Sequence, residues 1–578
     1  MSTLSELFFQ SAEKFSHNIA LSYKKEGVYF PITYKELAKK VMILGGFLQG
    51  LGIVKNDKVV ILSGNCPEWA ISDLAIMAIG AVVVPLHVTF GPEALNRILN
   101  HCKAKIIIVS NNDLLNKVLL HSKKLKFVEK IIFLNNLTGI QKDNLGDKVI
   151  SWQKIFSETN SSSYQKVEQD YDSCASIIYT SGTTGKPKGV VLTHKNFISN
   201  IKTLSQLIPV KESDVFLSFL PLSHVLERTA GYYMPLLAGA NITYAENVKQ
   251  LAHNLKEVSP SVIVSVPRIF EKLHEAIWDK VNASSPARKK LFLWALKQKR
   301  HTLKYRLADF LVFKKVRKQL GGNLRMAISG GASLNEHISR FFQKIGLLIL
   351  EGYGLTETSP VISVNLKKQY KFGTVGKVIP GLEVKISAEK EVLVKGPSVF
   401  GGYFNEKAQS KLSFDKDGWF CTGDLGFIDH EGFLTIIGRK KEMIVLSNGK
   451  KAWPEQIENL LNNDKYISQS MVIGNGQKFI SAIIVPDWFE LTLFLKNSNL
   501  PLQSQEKLIG NPVILSLIQE RLDKKINPKL SDVETIKKFI LLFQEFSPER
   551  GELTPTLKLR RHIIESHYKR QIESLYIE

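Results

Sequence analysis

The chain has 578 residues, of which 44% are hydrophobic, and its formal net charge is +23 at pH 7. This length exceeds what one hydrophobic core organises, so the sequence predicts two to four domains. The four cysteines, Cys66, Cys102, Cys174 and Cys421, have no metal-type spacing, which argues against a disulfide framework and indicates a reducing compartment.

We expect neither a secretory signal nor a membrane span. The first six residues, Met-Ser-Thr-Leu-Ser-Glu, lack the basic region and the apolar region of a signal peptide. The most apolar window, 74–84, has 11 residues, whereas a membrane-spanning helix needs about 20. The sequence therefore indicates a cytoplasmic protein, or one that lies peripherally on the inner face of a membrane.

Helices and strands alternate over the first part of the chain. Thr33 and Glu36 have the spacing of a capping box and predict the start of a helix. The following strands are predicted at 58–62, 81–84 and 105–109, and the helices between them at 67–79 and 92–101. This alternation predicts βαβ units, a parallel sheet and an α/β fold class.

Residues 179–194 read Tyr-Thr-Ser-Gly-Thr-Thr-Gly-Lys-Pro-Lys-Gly-Val-Val-Leu-Thr-His. Their hydroxyls, glycine amides and two lysines suit a loop that holds a polyphosphate. The string is not a Walker A motif, because Lys186 is followed by Pro187 and by β-branched residues that favour a strand. On composition alone, a surface hairpin that binds nothing is an equal alternative.

Strand and helix patterns resume at 262–266, 326–328 and 334–345, and between them lies a strongly basic segment, 288–318. This segment has twelve Lys or Arg and one acid, Asp309, and Leu303, Leu307, Phe310 and Leu311 recur at helical spacing. A basic amphipathic helix favours an anionic membrane surface. The alternatives are a solvated face of a packed helix and an acidic protein partner. The chain has no recognisable nucleic-acid-binding motif, so we do not expect nucleic acid as a partner.

The pattern changes after residue 373. Short strands alternate with turns from 373 to 438, and the remaining chain is mixed, with a helix at 454–461, a strand at 479–485 and a charged helix at the end. We therefore predict a large N-terminal domain over 1–438, whose βαβ-layered subdomains are followed by a β-rich one at 373–438. A smaller α+β domain follows over 439–578.

The string at 179–194 resembles the phosphate-binding signature of the adenylate-forming family, which includes acyl-CoA synthetases, firefly-type luciferases and peptide-synthetase adenylation domains. The resemblance extends over nearly the whole chain. It implies that ATP phosphates are held by Thr180, Ser181, Gly182, Thr183, Thr184, Gly185 and Lys186. It also implies Thr184 as a ligand of Mg²⁺.

Two further strings match this family around the reacting groups. Phe219-Leu-Pro-Leu-Ser-His224, followed by Glu227 and Arg228, is similar to the carboxylate-binding segment of long-chain acyl-CoA synthetases. The resemblance places His224 beside the acyl carboxylate. The other string, Gly352-Tyr-Gly-Leu-Thr-Glu-Thr358, together with Ser329-Gly-Gly-Ala332 before it, resembles the adenine site and its neighbour. The expected contacts with adenine are Gly331, Ala332, Gly352, Tyr353 and Gly354. Thr356 is expected to reach a phosphate and Glu357 to bind Mg²⁺.

The last motifs lie in the C-terminal part. Asp424 and Arg439 resemble the family's two ribose contacts, and Lys441 falls at its hinge, about which the C-terminal domain is mobile. Ser447 and Gly449 lie in the segment expected to line the thiol tunnel. Leu553-Thr-Pro-Thr-Leu-Lys558 resembles the C-terminal lysine motif in its long-chain form, and Lys558 is expected to reach the active site.

Together these motifs imply a ligase that uses ATP, Mg²⁺ and coenzyme A. It would convert a long-chain fatty acid to an acyl-adenylate and then to acyl-CoA. The alternative is an acyl–acyl carrier protein ligase with the same adenylation chemistry, because carrier proteins are acidic and would suit the basic surface.

Overall fold

The fold is described from a computed structural model. The residues it describes are 2–120, 124–135, 148–158, 164–180, 187–498, 500–501, 504–554 and 557–577. The chain folds into two compact units. One comprises Met1–Leu334, Ile338–Val384 and Val394–Cys421, and the other comprises Asn335–His337, Lys385–Leu393 and Thr422–Glu578.

The first unit contains two large sheets. The strands of the seven-stranded sheet are β3 (Lys58–Leu62), β4 (Val82–Leu86), β5 (Ile106–Val109), β6 (Lys130–Phe133), β7 (Val149–Ser151), β8 (Cys174–Thr180) and β9 (Lys188–Thr193), in the order β7-β6-β5-β3-β4-β8-β9. They are parallel except at β8–β9, where the connection is too short for a helical crossover. The central strands β3, β4 and β5 have apolar runs with both faces buried, as expected when helices cover a parallel sheet.

The second sheet has nine strands. They are β1 (Ile19–Lys25), β2 (Val28–Thr33), β10 (Val215–Ser218), β11 (Asn241–Tyr244), β12 (Val262–Ser265), β13 (Met326–Ser329), β14 (Ile349–Gly354), β15 (Val361–Val364) and β16 (Lys377–Val378), in the order β16-β15-β14-β13-β12-β10-β11-β1-β2. The central strands are parallel, and both edges are antiparallel hairpins.

The helices of the first unit connect these strands. They are α1 (Leu4–Lys14), α2 (Tyr34–Gly50), α3 (Pro67–Ala78), α4 (Pro92–His101), α5 (Asn112–Leu119), α6 (Trp152–Glu158), α7 (His194–Leu207), α8 (Met234–Leu237), α9 (Leu251–Val258), α10 (Pro267–Asn282), α11 (Pro286–Lys297), α12 (Leu303–Ala308), α13 (Lys314–Gln319), α14 (Glu336–Lys344, which begins in the other unit) and α15 (Lys407–Leu412). Thr33 forms the predicted capping box of α2, and proline occupies the first turn of α3 and α4, where its missing N–H costs no hydrogen bond. Two stretches are π-helical, Glu227–Tyr233 and Asp309–Phe313.

The β-rich region forms a four-stranded sheet that lies mostly in the second unit. Its strands are β17 (Glu383–Ile386), β18 (Glu391–Lys395), β19 (Phe420–Ile428) and β20 (Leu434–Arg439). The rest of the second unit has the hairpin β21 (Ile444–Val445) and β22 (Lys451–Ala452), and a sheet of β23 (Ile467–Ile473), β24 (Ile480–Pro486) and β25 (Ile536–Leu541). Its helices are α16 (Pro454–Asn462), α17 (Trp488–Asn497), α18 (Gln505–Leu508), α19 (Pro512–Arg521), α20 (Arg561–His567) and α21 (Lys569–Ser574), with a π-helical turn at Leu522–Ile526.

The predicted α/β class is confirmed, and the predicted elements lie within about two residues of the observed ones. The basic segment is not one helix. It forms α11 and, after residues 298–302, a continuous helical run that consists of α12, the π-helical turn at Asp309–Phe313 and α13. None of the helices in the described ranges has both the length and the apolar character needed to cross a bilayer. The predicted domain boundary at 438–439 stays a prediction.

Candidate active site

A hairpin holds both ends of the predicted phosphate-binding loop. β8 ends at Thr180 and β9 begins at Lys188, and these two residues are antiparallel partners. Thr180 and Lys188 therefore lie at one end of a β-hairpin at the edge of the seven-stranded sheet. The other loop residues lie outside the described part of the chain: Ser181, Gly182, Thr183, Thr184, Gly185 and Lys186. Their phosphate contacts, and the role of Thr184 toward Mg²⁺, stay predictions.

The two segments predicted to hold adenine lie at the carboxyl ends of β13 and β14, which are neighbouring parallel strands of the nine-stranded sheet. Ser329 ends β13 and pairs with Glu351 of β14, so Gly331 and Gly352 follow paired residues. Gly331 has a left-handed backbone, with φ of +87°. The carboxyl ends of parallel strands are the usual place for a ligand in α/β sheets. Tertiary structure thus brings together two motifs that are 20 residues apart in the sequence.

Glu357 lies in a 3₁₀ turn, Thr356–Thr358, which is separated from the end of β14 by one residue. The Tyr403 hydroxyl donates a hydrogen bond of 2.9 Å to its Oε1. The Lys188 Nζ lies 5.5 Å from the centroid of the Tyr403 ring. Sequence reasoning missed Tyr403, because nothing local to it indicates a partner 46 residues away.

The donor set around Glu357 fits a magnesium ion that is shared with a nucleotide. In the described ranges, no three His, Cys, Asp or Glu side chains come together as a metal-binding group. Mg²⁺ commonly takes one or two carboxylates and completes its shell with water and phosphate oxygens. One oriented carboxylate is therefore suited to Mg²⁺ on ATP, and unsuited to a metal held by protein alone.

His224 lies at the end of the segment that follows β10, next to a second histidine. The Ser223 hydroxyl lies 2.7 Å from Nδ1 of His87, and the centroids of the His87 and His224 rings are 6.5 Å apart. Burial lowers the pKa of His87 to about 4, so its imidazole is neutral at pH 7. Sequence reasoning missed His87, which directly follows β4 and has no motif around it.

Arg228, directly after this segment, is a buried ion-pair partner. Its guanidinium donates hydrogen bonds to Asp73 and to the Ser176 hydroxyl, and the Tyr233 hydroxyl donates to the other oxygen of Asp73. Arg228 and Asp73 are both wholly buried. The pair links the helix after the His224 segment to α3 and β8, and its role is structural.

In the second unit, three predicted site residues lie together. Asp424 and Arg439 are cross-strand partners in β19 and β20, and Nε of Arg439 lies 3.0 Å from Oδ1 of Asp424. Lys558 lies within electrostatic reach of both. Burial, and then the charge of Arg439, lower the pKa of Lys558, whereas Asp424 and two glutamates oppose this shift.

The predicted hinge and thiol-tunnel residues also lie in the second unit. Lys441 is in a 3₁₀ turn, Lys440–Glu442, where Lys440 forms ion pairs of 2.5 and 3.1 Å with Glu389 and Glu391. Ser447 and Gly449 lie in the turn between β21 and β22, and Gly449 has φ of +78°. Their roles stay predictions.

The chain is similar to known proteins over most of its length. The family profile "AMP-binding enzyme" matches residues 8–404, and "AMP-binding enzyme C-terminal domain" matches residues 441–578. The chain is 34% identical, over 95% of its length and 93% of the relative, to a Mycobacterium bovis protein named long-chain-fatty-acid–CoA ligase FadD15. It is 29% identical to a chloroplastic Arabidopsis thaliana protein named long-chain-fatty-acid–[acyl-carrier-protein] ligase AEE15, over 99% of this chain and 86% of the relative.

Among solved structures, the chain is similar to the adenylation domain of a carboxylate reductase from Mycobacterium chelonae. The TM-score is 0.83 at 20% identity, and the match covers 100% of this chain and 91% of that domain. This likeness concerns the fold alone. Because the family profile covers well over half of the chain, the protein belongs to the AMP-binding, adenylate-forming enzyme family and resembles its long-chain acyl-CoA synthetases.

Proposed function

We propose that this protein is an ATP-dependent long-chain fatty acid–CoA ligase. The observation that carries the proposal is the grouping of Asp424, Arg439 and Lys558 in a chain of this family. The mycobacterial relative's name and the leucine-rich form of the motif around Lys558 support a long-chain acid as the substrate.

In the first half-reaction, a carboxylate oxygen attacks the α-phosphorus of ATP and the bond to pyrophosphate breaks. The main barrier is the approach of one anion to another. His224 would lie beside the carboxylate, and the Lys558 ammonium would neutralise charge that develops between the carboxylate and the α-phosphate. Mg²⁺, held on Glu357, would supply further positive charge at the phosphates.

The nucleotide would be held by groups that do not react. The Gly352-Tyr353-Gly354 turn and Gly331-Ala332 would pack against adenine, and Asp424 and Arg439 would bind the ribose. Thr356 would bind a phosphate. Because Asp424 and Arg439 face each other across two strands, a ribose bound there would be aligned by a rigid hairpin.

In the second half-reaction, the thiol of coenzyme A attacks the acyl carbonyl and AMP leaves. We propose that the domain over 439–578 turns about Lys441 relative to 1–438, withdraws Lys558 and presents Ser447 and Gly449 to the thiol. Lys440 forms ion pairs with Glu389 and Glu391, which would hold the start of such a hinge.

The two half-reactions can be separated by one substitution. We expect Lys558→Ala to abolish pyrophosphate release from ATP and fatty acid, yet to retain thioester formation from supplied acyl-adenylate and coenzyme A. The matched control is Lys569→Ala, because the Lys569 side chain is 74% exposed in α21. Equal loss of both half-reactions would reject the domain rotation.

The second candidate is a ligase that transfers the acyl group to acyl carrier protein. The Arabidopsis relative's name and the basic surface favour it. One assay distinguishes the two candidates. The protein is incubated with ATP, Mg²⁺, fatty acids of varied chain length and either coenzyme A or a carrier protein, and the release of AMP and the formation of thioester are measured. Thioester with the carrier protein alone would favour this candidate, and no AMP with any acid would reject both.

We also propose that the protein associates peripherally with an anionic membrane through 288–318, and so acts at the inner membrane face or in the adjacent cytoplasm. Leu303, Leu307 and Phe310 are 81%, 50% and 68% exposed, and they lie among lysines and arginines. The opposite side of the segment is packed, with Ala308 and Phe313 wholly buried. This pattern suits a helix that lies in a lipid interface.

Sedimentation with vesicles tests this association. We expect binding to vesicles that contain phosphatidylglycerol and little binding to pure phosphatidylcholine. Leu303→Ser with Phe310→Ser should release the protein, whereas Leu412→Ser, at a 77% exposed leucine elsewhere, should not. Binding that survives the double substitution would overturn the proposal, as would equal binding to both vesicle types.

A further inference from the structure

Glu227 is an acidic side chain placed where a charge is costly. It is the first residue of the π-helical stretch after the His224 segment, and it is 1% exposed. The Ser218 hydroxyl donates a hydrogen bond of 2.6 Å to its Oε1. Its Oε2 is buried and has no hydrogen-bond partner among the residues that the structure describes. Half of this carboxyl group is therefore unsatisfied in the interior.

The hydrogen bond from Ser218 closes the loop that carries His224. Ser218 ends β10 and Glu227 lies in the first turn of the following helix, which starts at Val225, so the bond joins the two ends of the segment between them. Asn65, which lies three residues after the end of β3, also forms hydrogen bonds to this loop. Its Nδ2 donates to the Ser218 hydroxyl (3.1 Å) and to the Leu220 carbonyl (2.7 Å), and its Oδ1 accepts from the Leu222 N–H (3.1 Å).

Gly231 lies against the carboxyl group of Glu227. A Cβ on Gly231, four residues further along, would lie 2.6 Å from both Cδ and Oε2 of Glu227. A side chain at this position would displace the carboxyl group, the flexible end of Glu227, from where it lies. The carboxyl is thus enclosed by its own helix on one side and by Ser218 on the other.

Among the residues that the structure describes, the charged and titratable groups near Glu227 would not neutralise its anion. The neighbouring Arg228 is engaged by Asp73 and Ser176. Tyr244, on β11, lies within electrostatic reach of Glu227, and around Tyr244 are Cys66, Glu68 and Asp73. Burial raises the pKa of Glu227 to about 8, against an ordinary value of 4.5, and the Ser218 hydrogen bond opposes the shift. At pH 7 the carboxyl group is therefore mostly protonated.

We propose that Glu227 is a positioning residue that works in its neutral form. By accepting the hydrogen bond from Ser218, it would hold the loop 219–224 so that His224 is in place for the attacking carboxylate. This inference rests on the proposed ligase function. Loss of the Glu227 proton would put an unpaired charge in the interior, and we expect the loop to shift so that water can reach it. Activity would then fall as the proton leaves.

The test compares Glu227→Gln and Glu227→Ala with the unchanged protein. Glutamine is neutral at every pH and its Oε1 can still accept from Ser218, whereas alanine removes the acceptor. We expect Glu227→Ala to lower kcat at least tenfold with a smaller change in the KM for fatty acid, and Glu227→Gln to recover most of this loss. The unchanged protein should lose kcat above about pH 8, and Glu227→Gln should lack this loss. Because Lys558 also has a lowered pKa, the readout is the difference between the two profiles.

Two measurements do not depend on ligase activity. The infrared spectrum of the unchanged protein minus that of Glu227→Gln should show the carbonyl stretch of a protonated carboxylic acid at pH 7. The free energy of unfolding of the unchanged protein should fall relative to Glu227→Gln as pH rises from 4.5 to about 8, because the folded state alone keeps the proton there. An ionised carboxylate at pH 7, or identical kcat profiles, would overturn the proposal. Absence of ligase activity with these two signals present would instead overturn the proposed function.

Discussion

Gly354→Ala tests how closely the turn that carries Thr356 and Glu357 is packed. Gly354 is the last residue of β14 and pairs with Val361 of β15. A Cβ on Gly354 would lie 1.7 Å from the carbonyl oxygen of Pro360. Real Cβ contacts are not closer than 3.0 Å, so the two strands must separate by about 1.3 Å, the difference between these distances.

This displacement would move Thr356 and Glu357, the two residues of the turn that the proposed chemistry uses. The Pro360 carbonyl accepts hydrogen bonds from the Leu355 N–H (3.1 Å) and from the Thr358 hydroxyl (2.5 Å), which close the turn. A misplacement of about 1 Å at a reacting group costs on the order of 10²-fold in rate, or about 2.7 kcal/mol. Overpacking of this kind also lowers the free energy of unfolding by about 1–3 kcal/mol.

The assay is fatty-acid-dependent exchange of labelled pyrophosphate into ATP, with denaturant unfolding followed in parallel. Gly50→Ala is the matched control, because Gly50 ends α2 and a Cβ there would meet no atom within 4 Å. We expect the control to keep its exchange rate and Gly354→Ala to lose about 100-fold. An exchange rate within twofold of the unchanged protein would refute the reasoning from this contact.

Three further substitutions have expected outcomes. Arg228→Met should lower the free energy of unfolding by about 3–5 kcal/mol, because Asp73 is then buried without its partner. Adding Asp73→Asn should restore much of the lost free energy, and additive losses of the two substitutions in chemical denaturation would contradict this expectation. Tyr403→Phe removes the hydrogen bond to Glu357 and should raise the Mg²⁺ concentration needed for half-maximal pyrophosphate exchange severalfold; an unchanged Mg²⁺ titration would argue against Glu357 as the ligand. Thr33→Ala removes the N-cap of α2 and should cost about 1 kcal/mol in the free energy of unfolding, with no change in exchange rate at a permissive temperature.

The local elements were predictable because their causes are local. Thr33 and Glu36 are three residues apart and cap α2 through their own hydrogen bonds. The apolar run at β3 reads as a buried strand because both of its faces are covered. The break between α11 and α12, at 298–302, and the π-helical turn inside the following helix were not predicted, because these residues include no glycine or proline that would mark the end of a helix.

The sequence by itself determined the family motifs, the α/β class and the identity of most candidate site residues, because each motif is a short string whose chemistry can be read in place. Only the tertiary structure decided which residues meet. It paired Asp424 with Arg439 across a hairpin, joined Tyr403 to Glu357 and His87 to Ser223, and buried Glu227 against Ser218. These contacts depend on strand register and on burial, and both are set by the packing of segments that are distant in the chain.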